Sequence, residues 1–335
     1  MYINIHKAKG ETMNELTINN KELKRTDIEK IFKNDSSLSF NTVKGYAGQA
    51  ISFFTWARAG GLPGIGAVNP ALMAHYKQSL IDAGLKNTTI NFKLKAVRAF
   101  YRQLFTAGKI DTNPTDGMAY EHEEPFTAQY KALSKKQVEI LFRELSKDGT
   151  ERGRQRYALI MLLTLTGVRA SEACNLKFKD LIFEGNLTGL SYKDIQGRKL
   201  NAVGIRVERG KGGKSRTVEF KQVILDAIMN YRQAAPVDGE SLFYTIPQNG
   251  TQSRHALNRF TLWYTVKAVC KDILAVNVHP HTFRHTQATI SLELGAEVFS
   301  ISQNLGHSSL DTTSRYLQRR GDILKYWTGL IPAAV

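Results

Sequence analysis

The sequence predicts a mainly α-helical protein with a small β-sheet or hairpin, built as an all-helical unit followed by an α+β unit. Apolar residues recur at helical spacing through most of the chain, while period-two alternation is confined to a short stretch near residues 204–220. A segment at 109–130 with neither period separates the two patterns. At 335 residues the chain has room for two domains of ~150 residues, which excludes a small disulfide-stapled scaffold or a single compact module.

Taken in order, residues 1–34 are expected as a flexible tail, with Met13 as an alternative start. Helices are expected over 39–59, 69–84 and 87–107, punctuated by Gly60, Gly61, Pro63, Gly64, Gly66 and the Gly84 turn. Asn69 and Pro70 supply the N-cap and first position of the second helix. In the third, Ile90, Leu94, Val97, Tyr101 and Leu104 form one stripe. Thr88, Asn91, Lys95, Arg98 and Arg102 form the other, polar and cationic, stripe. That face is either a solvated surface or one that meets phosphates. These helices make a domain over 35–110, and residues 111–131, carrying Pro114, Gly117 and Pro125, read as a linker.

The second domain spans 132–335. Ser134 and Gln137 form a capping box ahead of Val138, Leu141, Phe142 and Leu145, and a buried helix follows through Tyr157–Leu165. Two alternating segments, Gly204–Glu208 and Ser215–Phe220, flank a basic glycine-rich tip, Arg209–Lys214, and read as a hairpin. Further helices are expected near 221–234, 253–273, 283–294 and 297–304. A final amphipathic stretch carries Ile323, Leu324, Trp327 and Leu330.

Composition narrows the function. The formal charge is +16, with 16 basic and 12 acidic residues in 1–130 against 30 and 18 in 131–335. A folded chain this basic points to a polyanionic partner. The two cysteines, Cys174 and Cys270, sit in apolar helical patterns, so neither a disulfide framework nor a thiolate metal site is expected. The longest nearly apolar run, Tyr157–Leu165, is about half of the ~20 residues a membrane span requires. A cytoplasmic protein with no membrane partner is expected.

Polar groups concentrate where packing does not ask for them. Arg169 and Glu172 stand three apart, so on one helix the acid can orient the guanidinium, whose planar fork suits a phosphate; an ordinary surface ion pair worth ~0.2–0.5 kcal/mol is the plainer reading. His281 and Arg284 repeat that spacing after Pro280. Lys211 lies between glycines at the hairpin tip, with Lys214 beside it, outside any G-x-x-x-x-G-K-[ST] loop. His307 follows Gly306 at a helix corner, and Tyr316 lies nine residues on. Each of these residues taken singly has a structural reading: a cap, a solvated turn or a core aromatic.

The order Arg, Lys, His-x-x-Arg, Gly-His, Tyr, with intervals of 42, 70, 3, 23 and 9, resembles the catalytic domain of the tyrosine recombinases, the lambda-integrase, Cre and Xer family of site-specific DNA recombinases. His281-Thr282-Phe283-Arg284-His285 and Leu305-Gly306-His307-Ser308 carry the resemblance over roughly 133–320. The helical unit is similar to the family's core-binding domain by pattern.

The resemblance implies a C-shaped clamp around duplex DNA and a reaction through a 3′-phosphotyrosine and a Holliday junction. Arg169, Arg284 and His307 would grip the phosphate and Tyr316 would be the nucleophile. Lys211, or alternatively Lys214, would be the acid, and His281 the proton acceptor or a phosphate ligand. Glu172 and Gly306 would support them, and Lys95, Arg98, Arg102 and Lys214 would contact DNA.

No metal or other cofactor is implied. The partners implied are double-stranded DNA with inverted-repeat core sites and three further copies of the chain. The segment from about 318 would dock in trans, and an accessory or partner recombinase would set direction. Compact members have a shorter interval between the first Arg and the Lys, so 183–203 are expected as an extended β insertion. The short N-terminal segment favours a simple Cre or Xer type over an arm-binding integrase. The biological role, whether integration and excision or dimer and cointegrate resolution, stays open. The alternatives are a type IB topoisomerase, a telomere resolvase, or a catalytically silent DNA-binding regulator of the same fold.

Overall fold

The computed structural model describes residues 24–33, 35, 37–123, 132–208, 215–235, 239–247 and 255–306. The chain divides into two units, Met1–Ala128 and Gln129–Val335.

In the first unit the described helices are α1 (Arg25–Lys33), α2 (Phe40–Ala59), α3 (Pro70–Asp82) and α4 (Asn87–Thr106). Their starts follow the chemistry of the sequence. Ser39 accepts from the Thr42 N–H at 3.2 Å and Asn69 from the Leu72 N–H at 2.9 Å, satisfying donors that a helix leaves unpaired. The α4 stripe of Ile90, Leu94, Val97, Tyr101 and Leu104 is buried as expected. It meets an aromatic core in which the Phe53 and Tyr76 rings lie 4.8 Å apart. Helix α1 corrects the tail expected over 1–34: Ile28 and Phe32 are buried against α2 and α4. These two apolar positions four apart lie on one helical face, and burial of that face stabilises a helix too short to stand alone.

The start of the expected linker is also seated on this unit. Asn91, from the polar stripe of α4, is buried. Its amide donates to the Glu121 carbonyl and to Glu123 Oε1, both at 2.8 Å, and its Oδ1 accepts from the Glu121 N–H at 2.8 Å. Lys77 Nζ reaches Glu121 Oε1 at 2.6 Å. Met118 and Tyr120 pack on the helical core.

In the second unit α5 (Lys135–Ser146) begins at the expected Ser134–Gln137 capping box. Helix α6 (Glu151–Thr166) is the spine of the unit, buried continuously from Ala158 and packed by α5. After α7 (Ala170–Asn175) come four antiparallel strands, β1 (Leu181–Phe183), β2 (Leu187–Thr188), β3 (Ala202–Val207) and β4 (Arg216–Glu219), in the order β2-β1-β3-β4. The expected hairpin is β3–β4, with Gly204 opposite Glu219 and Val207 opposite Arg216.

The expected β insertion at 183–203 is only partly β. It carries β2 and a helical turn, α8 (Tyr192–Ile195), closed by a Ser191–Asp194 capping box. Tyr192 explains its placement. Its ring lies 4.5 Å from the guanidinium of Arg232, a fully buried cation also faced by Phe178 and Tyr244. Arg232 donates to the Ser241 carbonyl at 2.6 Å and the Gly239 carbonyl at 3.1 Å, so its hydrogen bonds and the rings around it offset its desolvation.

Helices α9 (Gln222–Ala234), α10 (Arg259–Leu274), α11 (Pro280–Glu293) and α12 (Val298–Leu305) complete the described unit. Helix α10 starts later than the sequence suggested, where Asn258 caps the Thr261 N–H at 2.9 Å. Helix α11 starts earlier, with Pro280 at its first position, which puts His281 and Arg284 on one helix. Ala288 and Leu292 of α11 pack on Ile301 and Leu305 of α12. Among the described residues no helix is long and apolar enough to cross a membrane.

Candidate active site

The site forms where α6 and α12 end. Helix α6 stops at Gly167, whose φ of +64° is a left-handed cap that favours glycine. A β-carbon there would come within 2.6 Å of Leu305 Cδ2, so glycine also lets the two helix ends approach. Helix α12 stops in the same way at Gly306, φ +65°. Asn304 Nδ2 donates to the Thr166 carbonyl at 3.3 Å, linking the two termini.

Three arginines from three different elements donate to three consecutive carbonyls at the end of α12. Arg216 Nε donates to Asn304 O at 3.0 Å, Arg284 Nη2 to Leu305 O, and Arg169 Nη2 to Gly306 O at 3.2 Å. Arg284 Nη1 donates to the Gly167 carbonyl at 2.9 Å as well, so one buried guanidinium spans both helix ends. The last carbonyls of a helix carry its partial negative charge, which is where cations are stabilised.

Arg169 caps α7, and Glu172 stands three residues on. Glu172 Oε2 accepts from the Arg169 N–H at 2.7 Å, and Oε1 from Arg169 Nη1 at 2.8 Å. This is the expected pair, but it is no ordinary surface pair, because the Glu172 side chain is 5% exposed. Arg216 adds a bidentate contact, Nη1 to Oε1 at 2.8 Å and Nη2 to Oε2 at 2.9 Å, so the carboxylate accepts four hydrogen bonds. Burial alone would raise the Glu172 pKa. The hydrogen bonds and charges of Arg216 and Arg169 outweigh it and bring the value down from 4.5 to about 2.

His281 lies on the first turn of α11, partly open to solvent. Its ring is 4.4 Å from that of His285 and 6.4 Å from that of His279. Crowding by the protein lowers its pKa first, and the charges of Arg284, His279 and Arg169 lower it further. The structure therefore brings together Arg169, Glu172, Arg284 and Gly306, with His281 close enough to sense both arginines. Lys211, Lys214, His307 and Tyr316, and the C-terminal stripe of Ile323, Leu324, Trp327 and Leu330, lie outside the described residues.

Arg216 and Asn304 are the site residues that the sequence reading missed. A signal existed for Arg216. It is two residues before the buried Val218 on β4, so it is a cation in phase with the inward face of a strand.

On α4 the three predicted DNA contacts are held differently. Lys95 is 48% exposed and 3.9 Å from Glu123 Oε1, and Arg102 is 64% exposed and 3.4 Å from Asp35 Oδ2. The Lys95 and Arg98 cations lie 5.5 and 5.8 Å from the centre of the Tyr120 ring. The polar stripe is therefore divided: its Asn91 end seats residues 121–123, Lys95 and Arg102 stay at the surface, and Arg98 is half-buried against Tyr120.

A corner of fixed guanidinium groups, set in an α+β unit that follows a helical one, has the charge and the planar donors to receive a phosphate. Residues 131–321 match the phage integrase family and residues 30–108 match the phage integrase N-terminal SAM-like domain. The chain belongs to the phage integrase family, the tyrosine recombinases.

It is 30% identical over 246 residues to tyrosine recombinase XerC of Staphylococcus carnosus, covering 72% of this chain and 74% of that one. It is 28% identical over 303 residues to XerC of Bacillus pumilus, covering 88% and 90%. Among solved structures its fold is similar to XerH site-specific recombinase bound to a palindromic difH substrate, with a TM-score of 0.63 at 20% identity over 90% of this chain and 82% of that one. It is likewise similar to a lambda integrase dimer bound to a COC′ core site, with a TM-score of 0.59 at 16% identity over 87% and 75%.

Proposed function

We propose that the protein cuts and rejoins duplex DNA through a 3′-phosphotyrosine, with Tyr316 as nucleophile. The observation that carries this reading is the convergence of Arg169 and Arg284 on the last carbonyls of α12, immediately before His307 in the chain. Two fixed cations, with the histidine that follows Gly306 in the chain, would make a receptor for the nonbridging oxygens of a phosphodiester. Preorganised donors of this kind contribute ~2.7–4 kcal/mol each to transition-state stabilisation.

Tyr316 Oη attacks phosphorus and the bond to the 5′ oxygen breaks. The phenolic proton passes to neutral His281, and Lys211 protonates the leaving oxygen. The depressed His281 pKa keeps the imidazole neutral and able to accept. The phosphotyrosine ester conserves the bond energy, so a 5′ hydroxyl from another strand reverses the step without a nucleotide cofactor. Exchange between two sites passes through a Holliday junction held by four copies of the chain, with the segment from about 318 docking in trans. The helical unit grips the flanking duplex with Lys95, Arg98 and Arg102. The reaction takes place in the cytoplasm, on inverted-repeat core sites, with an accessory or partner recombinase setting direction. The DNA substrates of the recombinases that share this fold support the choice of partner.

The test is a nicked suicide duplex carrying the inverted repeats that flank the gene, incubated in EDTA. A covalent protein–DNA adduct is expected with the natural chain and none with Tyr316→Phe. An adduct that survives this substitution refutes the nucleophile, and tight binding with no adduct favours the silent regulator.

A further inference from the structure

Arg216 has no part in the chemistry above, yet it is tied to both halves of the site. Its side chain is 12% exposed, and all three of its nitrogens donate within the protein, two to the oxygens of Glu172 and one to the Asn304 carbonyl. It stands on β4 opposite Val207, in the strand pair nearest the connection between β3 and β4. A β-carbon on Gly306 would come within 2.7 Å of Arg216 Cδ, so the strand and the end of α12 meet without slack. Arg216 thus holds the carboxylate that holds Arg169, and also the helix end whose last carbonyl receives Arg169 Nη2.

We propose that Arg216 is a positioning residue for Arg169. It locks Glu172 in the orientation that presents Oε1 to Arg169 Nη1, and it fixes α12 so that Gly306 O meets Arg169 Nη2. Arg216 acts through Glu172 and the end of α12, the two groups that its three nitrogens reach. Lysine cannot replace it, since one ammonium cannot span both carboxylate oxygens and a carbonyl in the plane of a guanidinium fork. This inference rests on the reading of Arg169 as a phosphate ligand.

The experiment uses the full chain with Arg216→Lys and Arg216→Gln. Single-turnover cleavage of the nicked duplex is measured at saturating protein, alongside binding. It is repeated on the same duplex with a methylphosphonate at the scissile position, which removes the charge that Arg169 neutralises. On the natural phosphate both variants are expected to cleave about 10- to 100-fold more slowly, the scale of a misplaced catalytic group, with binding changed less than about 3-fold. On the methylphosphonate the deficit relative to the natural chain should shrink to within about 3-fold, as it should for Arg169→Ala. Lost packing would slow both substrates alike, so an equal deficit overturns the proposal, as does an unchanged rate in Arg216→Gln. If Arg216→Gln does not fold, Arg216→Lys decides by the same ratio. Failure of the natural chain to form any adduct refutes the recombinase reading instead and is seen before either variant is compared.

Discussion

Arg284 at the end of α12 is 2% exposed and spends its donors on two helix-terminal carbonyls, whereas Lys95 and Arg102 on α4 face solvent and meet Glu123 and Asp35 at 3.4–3.9 Å. Both sets are cations suited to phosphate, and they come from units that are each well packed. Those in the second unit are immobilised by backbone groups and one buried carboxylate, so their geometry is set before substrate arrives. Those in the first unit are exposed, screened by salt and already partly neutralised by acids of their own unit. Fixed geometry suits chemistry, where an orientation error of an ångström is costly, and exposed charge suits grip, where charge alone suffices.

That contrast breaks first, and by the most, at the fixed cations of the second unit. Arg169→Ala or Arg284→Ala should lower single-turnover cleavage by about 100- to 1000-fold with little loss of binding. If binding falls as steeply as cleavage, the two arginines grip DNA like those on α4.

Glu172→Gln comes next. It leaves Arg169 and Arg216 without their shared anion and should destabilise the second unit by about 3–5 kcal/mol, read as a lower denaturant midpoint. The pH dependence has a definite sign. The folded-state pKa of Glu172 lies below the ordinary 4.5, at about 2. Its stabilisation is therefore complete above pH 4.5 and is lost as the pH falls through 2. The gap between the natural chain and Glu172→Gln should be constant above pH 4.5 and close below it.

His281 offers a smaller effect. Because its pKa is lowered, cleavage should persist to a pH below the ordinary imidazole range, and the acid limb should vanish in His281→Gln. A limb that remains in the variant assigns it to another group.

The smallest effects belong to the cations of α4. Lys95→Ala, Arg98→Ala and Arg102→Ala should each reduce the salt dependence of binding by up to ~0.9 in log–log slope while leaving cleavage at saturating protein unchanged. A loss of cleavage rate in any of them would show that α4 also serves the chemistry.

Much of the architecture was legible from short-range signals. Asn69-Pro70 and Ser134 with Gln137 mark helix starts because side chains satisfy the first free N–H groups. The β3–β4 hairpin follows from strict alternation across a glycine-rich tip. The Arg169–Glu172 and His281–Arg284 pairs follow from their spacing, and their meaning from the order of residues along the chain. Helix α1 was missed because three apolar residues in nine, Ile28, Ile31 and Phe32, give a period too short to stand out, which only burial against α2 and α4 makes decisive. The seat of residues 121–123 on Asn91 was missed because an acidic, proline-flanked segment reads as solvated until a buried amide is found to complement it.

By itself the sequence determined most of the long helices, the apolar face of α4 and α5, and which types of side chain the chemistry would draw on, since these depend on neighbours within a few positions. Only the tertiary structure decided that Arg216 shares Glu172 with Arg169 across 44 residues and reaches the Asn304 carbonyl across 88. It also decided that α12 ends where three guanidinium groups meet. Such contacts depend on where helices and strands pack, and local periodicity carries no record of which distant partner will satisfy a buried charge.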